Sequence, residues 1–291
     1  IQHMVDTVAP TDARVLITGA NGSGKELVAR QVHNHSQRAD GPFVEVNCAA
    51  IPSELIESAL FGHIKGSFTG AVADHAGKFE QADGGTLFLD EVGDMSPDAQ
   101  AKVLRALEQG VVTRVGGKRP IEVDVRIVAA TNKDLDQEIG GGAFREDLFY
   151  RLNVVPIHTP PLRERRDDIP MLVQYFSDLM TRRDGMSPRS FETAAIERLQ
   201  ALAWPGNVRE LRNTVERLLI LATGEAVRAD DVDMLASSRL AGPGIGGELL
   251  SSESFSDFKD GAERAFIQQK LRENDWNVAE TARRIDMPRS N

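Results

Sequence analysis

Two clusters of residues have the types and spacing to do chemistry. The first is Gly19-Ala20-Asn21-Gly22-Ser23-Gly24-Lys25-Glu26. Its glycines let backbone N–H groups turn inward around an anion. A helix starting directly behind the loop adds partial positive charge, and Lys25 adds a full one. The spacing G-x-x-x-x-G-K suits the phosphates of a nucleotide. A hydroxyl residue that could touch Mg²⁺ normally follows the lysine, but here Glu26 stands in its place. The plainer alternative is a flexible glycine loop with one exposed lysine. The second cluster is Asp90-Glu91, which ends the apolar run Thr86-Leu87-Phe88-Leu89. Asp90 would hold Mg²⁺ through water. Glu91 would orient and deprotonate an attacking water. These acids are not needed to cap the next helix, because Ser96-Pro97 already supplies its N-cap and first-turn proline.

Both clusters need a scaffold that brings them to one edge. Five apolar or β-branched runs, 14–18, 43–46, 86–89, 125–130 and 154–157, read as strands separated by helical stretches. They predict an α/β fold built on a doubly wound parallel sheet. Such sheets bind ligands at the carboxyl ends of their strands. The phosphate loop, Asn47, Asp90, Glu91 and the pair Thr131-Asn132 all fall at strand ends. Thr131-Asn132 could hydrogen-bond a terminal phosphate or its water, or Asn132 could simply form an Asx turn; local sequence leaves both open.

Three further stretches stand out. Gly66-Ser67-Phe68-Thr69-Gly70-Ala71 sits between helical stretches. It reads either as a turn with Phe68 tucked into the core, which the residues alone favour, or as a loop presenting Phe68 and Thr69 to a partner. Residues 113–118 form another glycine-rich loop. Residues 144–152 form an amphipathic helix with Phe144, Leu148 and Leu152 on its apolar stripe. Arg145 and Arg151 lie off that stripe, by default on a solvated face with local ion pairs.

Composition changes at Pro160-Pro161. Residues 1–161 read as the α/β part and 162–236 as a helical bundle, with helices over 167–183, 190–203, 207–223 and 230–235. Asn207 is read as an N-cap. Arg209 follows in the first turn, where the helix dipole disfavours a cation, which hints at a ligand. Residues 237–257 read as a Ser/Gly-rich linker. Residues 258–291 suggest a helix-turn-helix cut short in its recognition helix.

The 291 residues carry 41% hydrophobic and 27% charged side chains, the profile of a globular protein with a real core. A net charge of −10 argues against general coating of nucleic acid, though not against a small DNA-binding element. The single cysteine, Cys48, excludes an internal disulfide framework, fits a reducing cytoplasm and is expected to be packed rather than reactive. No run is long enough to span a bilayer as a helix, and no membrane partner is expected. The six histidines lack metal-ligand spacing, and His33 and His35 are read as surface residues.

The order and spacing of these motifs resemble the bacterial enhancer-binding proteins, AAA+ ATPases that activate sigma-54 RNA polymerase. Within them, the chain is similar to nitrogen-regulation response regulators of the NtrC/NtrX type. The resemblance covers nearly the whole chain and makes Glu26 a normal companion of Lys25. It implies ATP and Mg²⁺ as cofactors and a hexameric ring as the active assembly. Gly66-Ser67-Phe68-Thr69-Gly70-Ala71 resembles the GAFTGA loop that contacts sigma-54. Asn47 matches a switch asparagine for the catalytic glutamate, and Thr131-Asn132 matches sensor I. Arg145 and Arg151 match arginine fingers, and Arg209 matches sensor II. The tail resembles a Fis-type domain, which in full-length form would bind enhancer DNA.

There are departures. Ala20-Asn21 replaces Glu-Ser in the family's GESGTGKE, and Ala59 and Ile64 replace both acids of ELFGHE. They keep alive a nucleotide-binding transcription regulator with weak or no hydrolysis; a helicase loader or unfoldase is a more distant alternative. The chain is expected to be an excised piece of a longer protein, competent for nucleotide and poor at specific DNA binding.

Overall fold

The computed structural model describes residues 1–184, 189–222 and 224–240. The helix-turn-helix expected at 258–291 and nearly all of the expected linker lie outside them.

The five strands expected from sequence form one parallel sheet: Val15–Thr18, Phe43–Asn47, Thr86–Asp90, Arg126–Thr131 and Val155–His158. In chain numbering their spatial order is second, third, fourth, first, fifth. Because both faces are covered, the strands are apolar on both faces. Leu16, Leu87, Leu89, Ile127 and Ala129 pack with Ile56, Leu60, Val103, Leu148 and Leu152 from the helices Ser53–Phe61, Pro97–Gln109 and Glu146–Leu152. Val15, Ile17, Phe88, Val128, Ala130 and Ile157 face the other way. They meet Val5 and Val8 of helix Gln2–Val8 and Ala29 and Val32 of helix Lys25–Asn34. Leu87, Phe88 and Leu89 thus serve opposite cores by simple strand alternation, and the sheet is doubly wound.

The stripe Ala29, Val32, His33 on helix Lys25–Asn34 corrects one expectation. His33 is buried, with Nδ1 3.0 Å from the Thr86 hydroxyl, because its helical position falls on the core-facing side. Burial, reinforced by the charges of Arg126 and Arg30, holds its pKa below the usual histidine value. His35 is exposed, as read.

Cys48 is buried in the first of these cores, and burial beside Asp90, Asp94 and Glu91 pushes its thiol up to about 12. Thiol reagents at pH 8 are therefore expected to label the folded chain far more slowly than the chain in denaturant. Equal labelling rates, read by mass spectrometry, would contradict this placement.

Two short antiparallel ribbons project from the sheet's helical layer. Gly62–His63 pairs with His75–Ala76, and Val111–Thr113 pairs with Pro120–Glu122. The 66–71 loop is therefore the tip of a β excursion rather than a link between helices, and the glycine-rich stretch at 113–118 is a hairpin turn. The ribbons touch through Ile64 N to Val115 O (3.1 Å) and Val115 N to Gly62 O (2.9 Å). Arg114 holds Glu80 with two nitrogens.

Beyond the sheet come helices Ile169–Asp184, Thr193–Ala201, Asn207–Leu221 and Ala229–Leu240. The last runs past residue 235, so the expected linker begins inside a helix. Nor is the region wholly helical: Ser190–Phe191 and Ala226–Val227 form a parallel pair too short to show any periodicity. By compactness the chain falls into two units. One is Ile1–Met186 with Gln200–Arg217, and the other is Ser187–Leu199 with the chain from Leu218 onward. The site described next belongs to the first unit alone.

Candidate functional site

The phosphate-loop stretch leaves strand Val15–Thr18 and enters helix Lys25–Asn34. Two of its glycines are fixed by close approach in the left-handed half of backbone space. A Cβ on Gly19 (φ +151°) would lie 2.0 Å from Thr159 Oγ1, and one on Gly22 (φ +73°) would lie 2.5 Å from Gly206 O. A Cβ on Gly24 would meet nothing within 4 Å. Gly24 is also the N-cap of the helix, and no side chain caps it. The helix N-terminus therefore opens onto free space on the side where an anion would sit.

Lys25 Nζ donates to Gly19 O (3.0 Å) and to Glu91 Oε1 (3.1 Å). Both side chains of this pair are largely buried, 7% and 12% exposed. The second carboxylate oxygen of Glu91 accepts from Asn132 N at 2.9 Å. Glu91 has a left-handed backbone (φ 52°, ψ 51°) and caps nothing with its side chain. A non-glycine residue held there costs on the order of 1 kcal/mol, so the carboxylate's position is imposed by its surroundings. Asp90 stands beside it, with its carboxyl pKa raised by burial and by the charge of Glu91. Among the described residues, no group of three or more His, Cys, Asp or Glu is arranged to hold a metal. A divalent cation here would rely on Asp90 together with water and phosphate oxygens, which is how Mg²⁺ is commonly held.

The remaining expected residues are distributed as follows. Thr131 is buried; its hydroxyl accepts from Lys133 N and its carbonyl accepts from Gly19 N (3.3 Å). The turn after this strand is thus closed by Thr131 rather than by an Asx turn at Asn132. Asn47 Oδ1 accepts from Ala49 N and Ala50 N, capping the short turn Cys48–Ala50. Its oxygen is engaged there, while Glu91 is held by Lys25 and Asn132. Glu26 pairs with Arg30 on an exposed face. Ala20 O accepts from Ser23 N, closing the loop's turn, and Asn21 O accepts from Asn207 Nδ2 at 2.9 Å. Arg209 is drawn to the loop: its Cβ is 3.1 Å from where a Gly22 Cβ would stand, and its neighbour Val208 N donates to Gly22 O at 3.0 Å.

Arg145 is paired with Asp147 on the surface, and Arg151 is exposed. Among the described residues, neither shares a hydrogen bond or ion pair with the phosphate loop. At the ribbon tip, Phe68 is 37% exposed and packs edge-on against His63 with ring centroids 5.0 Å apart, so it is not tucked into the core. Gly66 N to Ala71 O and Ala71 N to Phe68 O fold the tip, Gly66 and Gly70 have positive φ, Thr69 is exposed, and Ala71 is buried.

Several residues that hold the loop have no mark in the sequence. Thr159 touches it by hydroxyl contact, and Arg165 donates to Ser23 O. Asn207, read as an N-cap, instead accepts from Leu162 N and donates to Asn21 O, with its own φ at +53°. A cleft of about 500 Å³ opens beside the loop, lined by Thr18, Gly19, Ala20, Asn132, Lys133 and His158 among others.

A five-stranded parallel sheet in this order, a glycine loop with its lysine, and two acids at the end of the strand two places along the sheet define an AAA+ domain. The comparisons with known proteins narrow that class. Residues 1–158 match the sigma-54 interaction domain, and residues 163–241 match an AAA+ ATPase lid domain. The chain belongs to the sigma-54-dependent enhancer-binding family of AAA+ transcriptional regulators. It is 54% identical over 233 residues to the DNA-binding transcriptional regulator NtrC of Rhizobium meliloti, covering 80% of this chain and 48% of that one. It is 44% identical to the response regulator protein PilR of Pseudomonas aeruginosa, covering 99% of this chain and 64% of that one. The chain thus spans about half to two thirds of the length of these relatives. Among solved structures, NtrX from Brucella abortus in complex with ATP is similar, with a TM-score of 0.79 and 40% identity over 99% of this chain and 64% of that one.

Proposed function

We propose that this chain is the ATP-hydrolysing motor of a sigma-54-dependent transcriptional activator. The observation that carries the reading is the buried contact of Lys25 with Glu91 and of Glu91 with Asn132, beside a phosphate loop whose helix N-terminus is open. Lys25 and the amides of Gly22 and Gly24 would hold the phosphates of ATP, with the Ser23 amide keeping the turn closed and Arg209 alongside. When bound by Asp90, Mg²⁺ would neutralise phosphate charge. Glu91 would take the proton of the attacking water, with Thr131-Asn132 sensing the terminal phosphate and Asn47 gating the glutamate. Arg145 and Arg151 would complete a neighbouring subunit's site in a ring, probed most simply as a hexamer. Arg145's exposed pairing with Asp147 leaves its guanidinium exchangeable. The 66–71 tip would carry Phe68 and Thr69 to sigma-54, in the cytoplasm, with enhancer DNA bound by the full-length protein's C-terminal domain.

The test is ATP turnover per subunit across a protein dilution series. A steep rise with concentration is expected, because the site is completed between subunits. Turnover independent of concentration would remove the ring from this reading. Nucleotide binding with background turnover at every concentration would favour the nucleotide-binding regulator with little hydrolysis. The engaged side chain of Asn47 is the observation that keeps this second reading in play.

A further inference from the structure

Thr159 stands immediately after the last strand, Val155–His158, and is 1% exposed. Its backbone N donates to Thr18 O at 2.8 Å, and its hydroxyl donates to the same carbonyl at 3.0 Å. That donation spends the only proton on Thr159 Oγ1. Ser23 Oγ lies 2.8 Å from Thr159 Oγ1 and must therefore be the donor in that pair. The result is a directed chain, Ser23 to Thr159 to the Thr18 carbonyl, joining the end of the phosphate loop to the end of the first strand. Ser23 is itself 3% exposed, so its hydroxyl is turned inward, away from the side where an anion would sit. Gly19 completes the arrangement: the Thr159 hydroxyl occupies the space a side chain there would fill.

We propose that Thr159 is a positioning residue for the nucleotide. It holds the phosphate loop in its binding shape before any ligand arrives. The inference rests on the reading of this loop as an ATP site, and it adds that the loop's affinity depends on a hydroxyl standing just past the strand that pairs with the first one. A loop held in this way loses little conformational freedom on binding, and that saving appears as affinity. Without the Thr159 hydroxyl, Ser23 Oγ is left buried with no acceptor, and the loop has reason to rearrange. The role is one of geometry: Thr159 is buried and meets the loop through Ser23 and Gly19, so the chemical step should be spared.

The experiment compares wild type, Thr159→Val, Thr159→Ser and Ser23→Ala, each checked for fold by circular dichroism. ATP affinity is measured by calorimetry, KM and kcat by steady-state turnover, and loop-amide hydrogen exchange without nucleotide. The expected result is a rise of about tenfold in Kd and KM for Thr159→Val. Its kcat should stay within about twofold, loop exchange should quicken, and Thr159→Ser should return to wild-type affinity. Ser23→Ala should show the same exchange change, and combining it with Thr159→Val should add little, because both remove one contact. If wild type binds ATP and Thr159→Val binds within twofold of it, the proposal is overturned. If wild type itself fails to bind ATP, the nucleotide reading fails, and loop exchange still decides the clamp: quicker exchange in Thr159→Val supports it and equal exchange sinks it. Should Thr159→Val not fold, Ser23→Ala is judged by the same criteria.

Discussion

Glu91→Gln is expected to lower ATP turnover by at least about 100-fold while leaving ATP binding intact. A positioned general base contributes roughly 10²–10⁴ in rate, and Glu91 is the carboxylate whose surroundings fix it best. One oxygen takes Lys25 Nζ and the other takes Asn132 N. Glutamine has nearly the same volume, and its amide oxygen can still accept from Asn132 N, so the local fold should persist. What disappears is the ability to take a proton and the negative charge opposite Lys25. With that charge gone, Lys25 no longer has a buried carboxylate competing with incoming phosphates, so ATP affinity should hold or rise. Calorimetry paired with turnover checks both parts. A variant that keeps a tenth or more of wild-type turnover would show that another group is the base. A variant that loses ATP binding would show that the Lys25 pair builds the site rather than merely occupying it.

This contact also bears on how nucleotide could be sensed. Lys25 is satisfied by Gly19 O and Glu91, two acceptors that phosphate oxygens could replace. Glu91 would then keep only its tie to Asn132 N, at the end of strand Arg126–Thr131. Separately, the hairpin Val111–Glu122, which leads into the opposite end of that strand, is bonded to the base of the Phe68 ribbon through Val115.

The sheet was legible because parallel strands covered on both faces are written as unbroken apolar runs. Asp90-Glu91 was legible because acids ending such a run have few structural reasons to be there. The phosphate loop declared itself through glycine spacing. The clamps around it did not. Thr159 and Ser23 are 136 positions apart, and Asn207 reaches Asn21 across 186. No local pattern marks a threonine that will meet a serine at such a distance. His33 departs from its surface reading for a related reason: residues two apart on a helix do not share a face, so of the two histidines only His33 falls on the helix's narrow core stripe. The short ribbons escaped because two-residue strands carry no period. The Phe68 tip was the opposite case. Its local chemistry favoured a buried aromatic, and only the resemblance to the family pointed outward, where the ring is in fact partly exposed.

Replacing Arg126 by Met is expected to lower the thermal midpoint by on the order of 10 °C without touching any residue of the candidate site. Arg126 opens the strand that ends in Thr131, and its side chain is buried. Its guanidinium donates to Ala9 O (2.7 Å), Val8 O (3.0 Å) and Ala13 O (3.3 Å). Two of these carbonyls close helix Gln2–Val8, where the helix dipole favours a cation. Burial lowers the guanidinium's pKa, with Asp12 opposing that shift, yet the group remains far from neutral at working pH. Methionine fills most of the volume, so the cost is not a cavity. It comes from leaving the Ala9 and Ala13 carbonyls without their donor, about 1–3 kcal/mol for such groups, while Val8 O keeps Thr11 as a donor. At roughly 2–4 °C per kcal/mol for a domain of this size, a total near 3 kcal/mol gives the stated shift. Lysine should recover part of it, since it keeps the charge but lacks the planar fork that reaches several carbonyls at once. Calorimetric unfolding of the three proteins tests this. A midpoint within about 2 °C of wild type for the methionine variant would mean that the carbonyls find water instead. The helix Gln2–Val8 would then be held by Val5 and Val8 packing alone, and Arg126 would be a passenger in the core.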